Sequence, residues 1–198
     1  MTFDNGVIKD GVYSNECLGF SFQIPEGWET VPRNDANGRA RRDGDGLALL
    51  GLRVPKGGRV FMGSIWLRAT PATGKASNAQ DFVFSQVEKV MTAPAGSPEL
   101  IANAYPVECS GRLFYRAEYK HPGGNLGTTY STSIYTRFRG FFIGETITAG
   151  SLKDLDQAAD SLGGISFRKD QVNPKCVMGP AEKQIFGRVG GGIGSSMK

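Results

Sequence analysis

Three consecutive runs of alternating residues, joined by short connections, constrain this chain more than any other feature. In the first, Leu113, Tyr115, Ala117 and Tyr119 alternate with Arg112, Arg116, Glu118 and Lys120. The second, Gly127–Phe138, is rich in Thr, Ser and Tyr, which favour a pleated surface. In the third, Phe141, Ile143 and Ile147 alternate within residues 140–148. A period of two puts successive side chains on opposite faces of a sheet. Connections as short as residues 121–126, or Arg139 and Gly140, cannot make a parallel crossover, so these strands are expected to be antiparallel neighbours.

Upstream, Phe20, Phe22 and Ile24 alternate with Ser21 and Gln23 until Pro25, Glu26 and Gly27 end the run with turn chemistry. Residues 11–16 offer a partner strand, and the polar, Gly-rich residues 34–45 read as a loop. Residues 47–54 and 60–69 are apolar runs split by Pro55, Lys56, Gly57, Gly58 and Arg59, the pattern of a hairpin with a longer loop. Phe61, Ile65 and Leu67 on one pleat face oppose Val60, Met62 and Trp66 on the other, which predicts a strand covered on both sides.

Two helices complete the pattern. Ser77 with Gln80 three residues later reads as a capping box. Ala79, Phe82, Val83, Val87, Val90 and Met91 form the apolar stripe, and Pro94 and Gly96 end it. Ser151 with Asp154 opens the second helix, whose stripe is Leu152, Leu155, Ala158, Ala159 and Leu162. Gly163 and Gly164 stop it, and Ile165–Phe167 reads as a last short strand. Both stripes, and Trp28 and Trp66, are expected to serve as core.

The fold class that follows is α+β: an α/β/α sandwich with a central antiparallel sheet of about six strands and helices packed on its faces. A chain of 198 residues fits one domain plus a tail. The expected division is an N-terminal extension over residues 1–10, a domain over 11–167 and a basic, Gly-rich tail over 168–198. With 39% apolar and 21% charged residues the chain is neither disordered nor a coiled coil. It has no apolar run of membrane-spanning length.

Charge is unevenly placed. The six basic and two acidic residues after Phe167 account for the whole formal charge of +4, leaving residues 1–167 balanced. A balanced domain lacks the basic field that nucleic acid requires, and no nucleic-acid partner is expected. The tail could hold the domain on an anionic surface. One local cluster, Arg39, Arg41 and Arg42, is the candidate partner contact.

Cys17, Cys109 and Cys176 form no CxxC pair, and His121 is the single histidine, so no zinc site is read. In an oxidising compartment the three cysteines allow one disulfide in any of three pairings. Gly190–Gly194 has only four residues after it, too few for the helix of a dinucleotide fingerprint. The Gly74, Lys75 pair lacks the flanking Gly and Ser/Thr of a phosphate loop, since Ala69 and Ala76 stand there. Cys109 with His121 is the one nucleophile–base pairing the composition permits. No catalytic, cofactor-binding or metal-ligating residue is assigned, and no cofactor is expected.

The segment GVYSNECLGFSFQIPEGW resembles the start of PsbP-like domains, where a short strand leads into a Phe-rich strand ending in Ile-Pro-x-x-Trp. Ile24, Pro25 and Trp28 match that ending. The helix and last strand over residues 151–167 resemble the group's C-terminal element, and the tail departs from it. The resemblance implies an α/β/α sandwich over residues 11–167. It also implies a role like those in the group, which spans a photosystem extrinsic subunit, a Ran-binding import factor and many bacterial exported proteins. It carries over no catalytic residue.

The expected function is a non-enzymatic binding or accessory protein of the bacterial cell envelope, engaging a protein or a lipid or glycan ligand. A pocket enzyme using Cys109 and His121, or a surface protein tethered by its tail, are the alternatives. Residues 1–11 lack the apolar stretch of a targeting peptide. The location is read as extracytoplasmic, periplasmic or lipoprotein, with a leader already removed; the cytoplasm is the other reading.

Overall fold

A computed structural model describes residues 6–31, 42–43, 46–54, 63–72, 76–92, 98–124 and 127–168. In chain order the elements are β1 (Val7–Lys9), β2 (Val12–Asn15), β3 (Phe20–Gln23), β4 (Glu29–Val31), β5 (Arg42–Asp43), β6 (Gly46–Arg53), β7 (Gly63–Pro71) and helix α1 (Ala79–Met91). There follow β8 (Glu99–Cys109), β9 (Arg112–Gly124), β10 (Gly127–Phe138), β11 (Phe141–Ala149), helix α2 (Leu152–Ala159), a 3-10 turn (Asp160–Gly164) and β12 (Ile165–Phe167).

The three alternating runs are β9, β10 and β11, paired antiparallel as their short connections require. Two-residue turns of type I′ hold both central residues at positive φ, which matches the twist of the strands they join. Asp10 and Gly11 (φ 51° and 73°), Ser110 and Gly111 (51° and 68°), and Arg139 and Gly140 (48° and 80°) adopt that form between β1 and β2, β8 and β9, and β10 and β11.

The strands form two sheets, not one of about six. The larger runs β4-β6-β7-β11-β10-β9-β8, with β5 paired to β6, giving eight strands. The smaller runs β1-β2-β3-β12. Alternation reveals which face of a strand is buried but not which strand it pairs with. The Phe-rich β3 therefore reads as part of the central sheet in sequence, whereas it pairs with β2 and β12 and lays Phe20 and Phe22 over the larger sheet. β1 also draws residues 7–9, which lie inside the segment expected as an extension, into this sheet.

On the inner face of the large sheet, Leu50, Leu52, Ile65, Leu67, Phe114, Ile134, Ile143 and Ile147 meet Tyr13, Phe20, Phe22, Leu155, Leu162 and Ile165 in one cluster. On the outer face α1 packs against β8, β9 and β10. Its Phe82 ring stacks on Phe142 at 4.3 Å and meets Tyr135 edge-on at 5.0 Å. The layers are thus α1, the large sheet, and a third layer shared by α2 and the small sheet.

Both helices start where polar side chains can satisfy free backbone N–H groups. Ser151 caps α2 by accepting from the Asp154 N–H at 3.1 Å, as expected. For α1 the cap is Asn78, not Ser77. Asn78 Oδ1 accepts from the Asp81 N–H at 2.9 Å, while Ser77 Oγ donates to Asp81 Oδ2 at 2.7 Å. Ser77 bonds lower the Asp81 pKa. The stripe shifts accordingly: Ala79, Phe82, Val83 and Val87 are buried and Met91 is exposed. Leu152 of the second expected stripe is also exposed. The tail beyond Arg168 lies outside the described residues.

Candidate functional site

α1 does not reach across the whole outer face. It packs on β8, β9 and β10 and reaches β11 at Phe142, and the outer face continues past it over β7 and β6. Register places Tyr119, Ser131, Thr148, Ser64 and Arg53 in one cross-strand row. The next row is Ala117, Ser133, Thr146, Trp66 and Gly51. Beyond it stand Tyr135, Gly144 and Arg68. Ser64, Trp66, Arg68, Ser133, Thr146 and Thr148 are all half-buried. This corrects the expectation of a strand sealed on both sides: β7 alternates buried and half-buried along its length.

Trp66 is the centre of this surface. It belongs to neither apolar cluster of the described residues, whereas Trp28 packs against the inner core. A Cβ on the facing Gly51 would stand 2.7 Å from Trp66 Cζ3 and 3.0 Å from Cη2. The indole therefore lies down over the β6 backbone, a position open to it because residue 51 has no side chain.

Two separate polar pairs link β9 to β10 and β10 to β11 on this face. Tyr135 Oη and Thr146 Oγ1 share a hydrogen bond at 3.4 Å, and His121 Nε2 and Ser131 Oγ share one at 2.7 Å. Burial alone lowers the His121 pKa, so the imidazole is neutral at pH 7. Burial raises the Tyr119 phenol to about 12, with the Ser133 hydroxyl pulling the other way. At the β6 edge Arg53 is ion-paired with Glu29 at 3.5 Å.

The inner face carries a different polar set. Arg116 Nη2 donates to Asp156 Oδ1 of α2 at 2.6 Å, and Arg116 Nε lies 3.0 Å from Glu118 Oε1. Tyr105 Oη donates to the same carboxylate, and burial followed by that bond drives the phenol pKa up. Two strands away, the Glu145 carboxyl is fully buried between Leu67 and Ile134, and neither oxygen has a hydrogen-bond partner. Burial pushes its pKa up to about 8 against the pull of Arg116, so the group is uncharged at pH 7.

The candidates from sequence fall as follows. Arg42 is on β5, opposite Leu47 of β6, while Arg39 and Arg41 lie outside the described residues. Cys17 is disulfide-bonded and Cys109 is a free thiol; Cys176 lies outside the described residues. Cys109 and His121 are not brought together. Cys109 stands opposite Arg112 and packs on the inner core, whereas His121 is nine residues further along β9 and bonds an outer-face serine. At about 3.4 Å per residue that separation is about 30 Å, with the sheet between them. Burial, with Glu145 adding to it, raises the Cys109 thiol pKa, which is opposite to what a reactive thiolate needs. The outer hydroxyl rows were present in sequence as the Thr, Ser and Tyr of β10, but only register joins them to Trp66.

No family model and no curated protein matches the chain. Among solved structures it is similar to the solution structure of cyanobacterial PsbP (CyanoP) from Synechocystis sp. PCC 6803. The match is 18% identical, covers 82% of this chain and 96% of that one, and has a TM-score of 0.54. The Saccharomyces cerevisiae Ran-binding protein Mog1p matches more weakly, at 14% identity over 72% of this chain and 78% of that one, with a TM-score of 0.39. The chain therefore has a PsbP-like fold, as the Ile24, Pro25 and Trp28 pattern implied. No helix among the described residues is long and apolar enough to cross a membrane.

Proposed function

We propose that this chain is a non-enzymatic binding protein of the cell envelope that takes its ligand on the half-covered outer face of the large sheet. The observation that carries this is the pair of rows around Trp66. They set an aromatic plane and several hydroxyls on rigid strands, with α1 covering only the β9 end of the rows. Sites on strands hold their geometry better than sites on loops.

The placement of the reactive groups supports binding over catalysis. Cys109 and Glu145 face the inner core, and the His121 shift has no charged partner behind it. A general base needs its nucleophile within hydrogen-bond reach and a third group to orient it. His121 has Ser131 but no orienting carboxylate among the described residues. The extracytoplasmic location is supported by the Cys17 disulfide, since such bonds persist in oxidising compartments.

The test is turnover. The full chain, assayed on ester, phosphate and glycoside panels, is expected to show no rate that Ser131→Ala or His121→Ala abolishes. A rate lost in either variant, with the fold intact by circular dichroism, overturns the proposal.

A further inference from the structure

We infer that the outer face binds a neutral, hydroxyl-rich saccharide chain, with one sugar ring stacked on Trp66. This deepens the binding reading above and rests on it. The first ground is the posture of the indole. Trp66 lies across β6 because Gly51 leaves it room, so one ring face is used against backbone and the side chain remains only half-buried. An aromatic plane laid along a sheet is a stacking platform; sugar rings present an apolar C–H face that fits such a plane.

The second ground is what surrounds the plane. Ser64 and Thr148 stand in one row with the buried Ser131 beyond them, and Thr146 pairs with Trp66 in the next, with Ser133 one strand further. Each hydroxyl both donates and accepts, the pattern that matches a ligand whose own rim is hydroxyls. From β6 to β10 the rows cross three strand intervals, about 15 Å, enough for a short oligosaccharide.

The third ground is charge. Residues 1–167 carry no net charge, His121 is neutral at pH 7, and Arg53 is committed to Glu29. A polyanion such as nucleic acid needs several cations along its track, whereas the rows carry two, Arg53 and Arg68. A lipid tail needs a contiguous apolar surface, and here Ser64, Thr146 and Thr148 interrupt it beside Trp66.

The experiment is titration of the full chain, followed by tryptophan fluorescence and calorimetry. The probes are neutral glucose and N-acetylglucosamine hexasaccharides in α and β linkage, a uronic acid hexasaccharide and a single-stranded oligonucleotide. At least one neutral hexasaccharide is expected to saturate the signal. Trp66→Ala should weaken that binding about tenfold or more, the scale of a lost stacking anchor, while Trp66→Phe retains most of it. Thr148→Val and Ser133→Ala, which leave the indole in place, should each weaken it about two- to fivefold. If no neutral hexasaccharide binds, or if binding is unchanged in Trp66→Ala, Thr148→Val and Ser133→Ala, the inference is overturned. Trp66-dependent binding of the uronate or the oligonucleotide alone overturns the neutral saccharide while leaving the outer face as a binding site.

Discussion

Strand β11 shows the two sides of the large sheet on one backbone. Its inward residues Ile143, Glu145, Ile147 and Ala149 are all fully buried. Of its outward residues, Phe142 lies under α1, while Thr146 and Thr148 are only half-buried. The inner side is sealed by a second sheet and a helix together; the outer side is roofed by one helix that packs on β8, β9 and β10 and reaches β11 at Phe142. What a residue of β11 contributes depends on the layer facing it. The inner side is built for stability even at the cost of an uncharged carboxyl, and the outer side retains polar groups that stability does not require.

The sharpest way to break that contrast is to truncate the same strand on each side. Ile147→Ala is expected to cost about 2–5 kcal/mol in urea unfolding, as buried Ile truncations do. A cost under 1 kcal/mol would show that the inner side is not tightly packed there.

Glu145 gives the next largest effect, with a sign that can be worked out. Its folded pKa, about 8, lies above the ordinary 4.5, so the native state holds a proton that the unfolded chain releases. The contribution is fully present below pH 4.5 and is lost as pH rises towards 8. At about 1.4 kcal/mol per pKa unit, Glu145→Gln should gain about 3 kcal/mol on the parent between pH 4 and pH 7. Parallel stability–pH curves for the two proteins would contradict the burial of this group.

Asn78→Ala should cost about 1 kcal/mol by removing the α1 cap. The extra hydrogen exchange should appear in β8 and β9 under α1, with β6 and β7 unchanged, if the helix roofs only its own strands. Last, Thr146→Ala should change stability by no more than about 0.5 kcal/mol, as for a surface position. A larger loss would place Thr146 among the groups that hold the fold together.

Local features of the sequence were the readable ones. The α2 cap at Ser151, the β12 bounds and the β10–β11 turn at Arg139 and Gly140 all follow from residues within a few positions of each other. β8 is not among the strands read from sequence because its half-covered side chains are mostly small and it carries Pro106, which an edge strand tolerates. The α1 cap slipped by one because Ser77 and Asn78 compete for Asp81 and only geometry decides. Trp66 was read as core because its neighbours in sequence are apolar. Its neighbours in space, Gly51 and Thr146, come from strands 15 and 80 residues away. The candidate site was hidden for that reason: it is a property of register, not of any single segment.

The pairing of β12 with β3 sets Ile165 opposite Phe22 and Phe167 opposite Phe20. Such a distant partner makes ring closure of the polypeptide a late event. While the protein is being synthesised, β3 must wait with one edge bare until nearly the whole domain has left the ribosome, a period when a second nascent chain could take the vacant place. A molecule cut short before Ile165 would keep that edge permanently open to pairing with another chain.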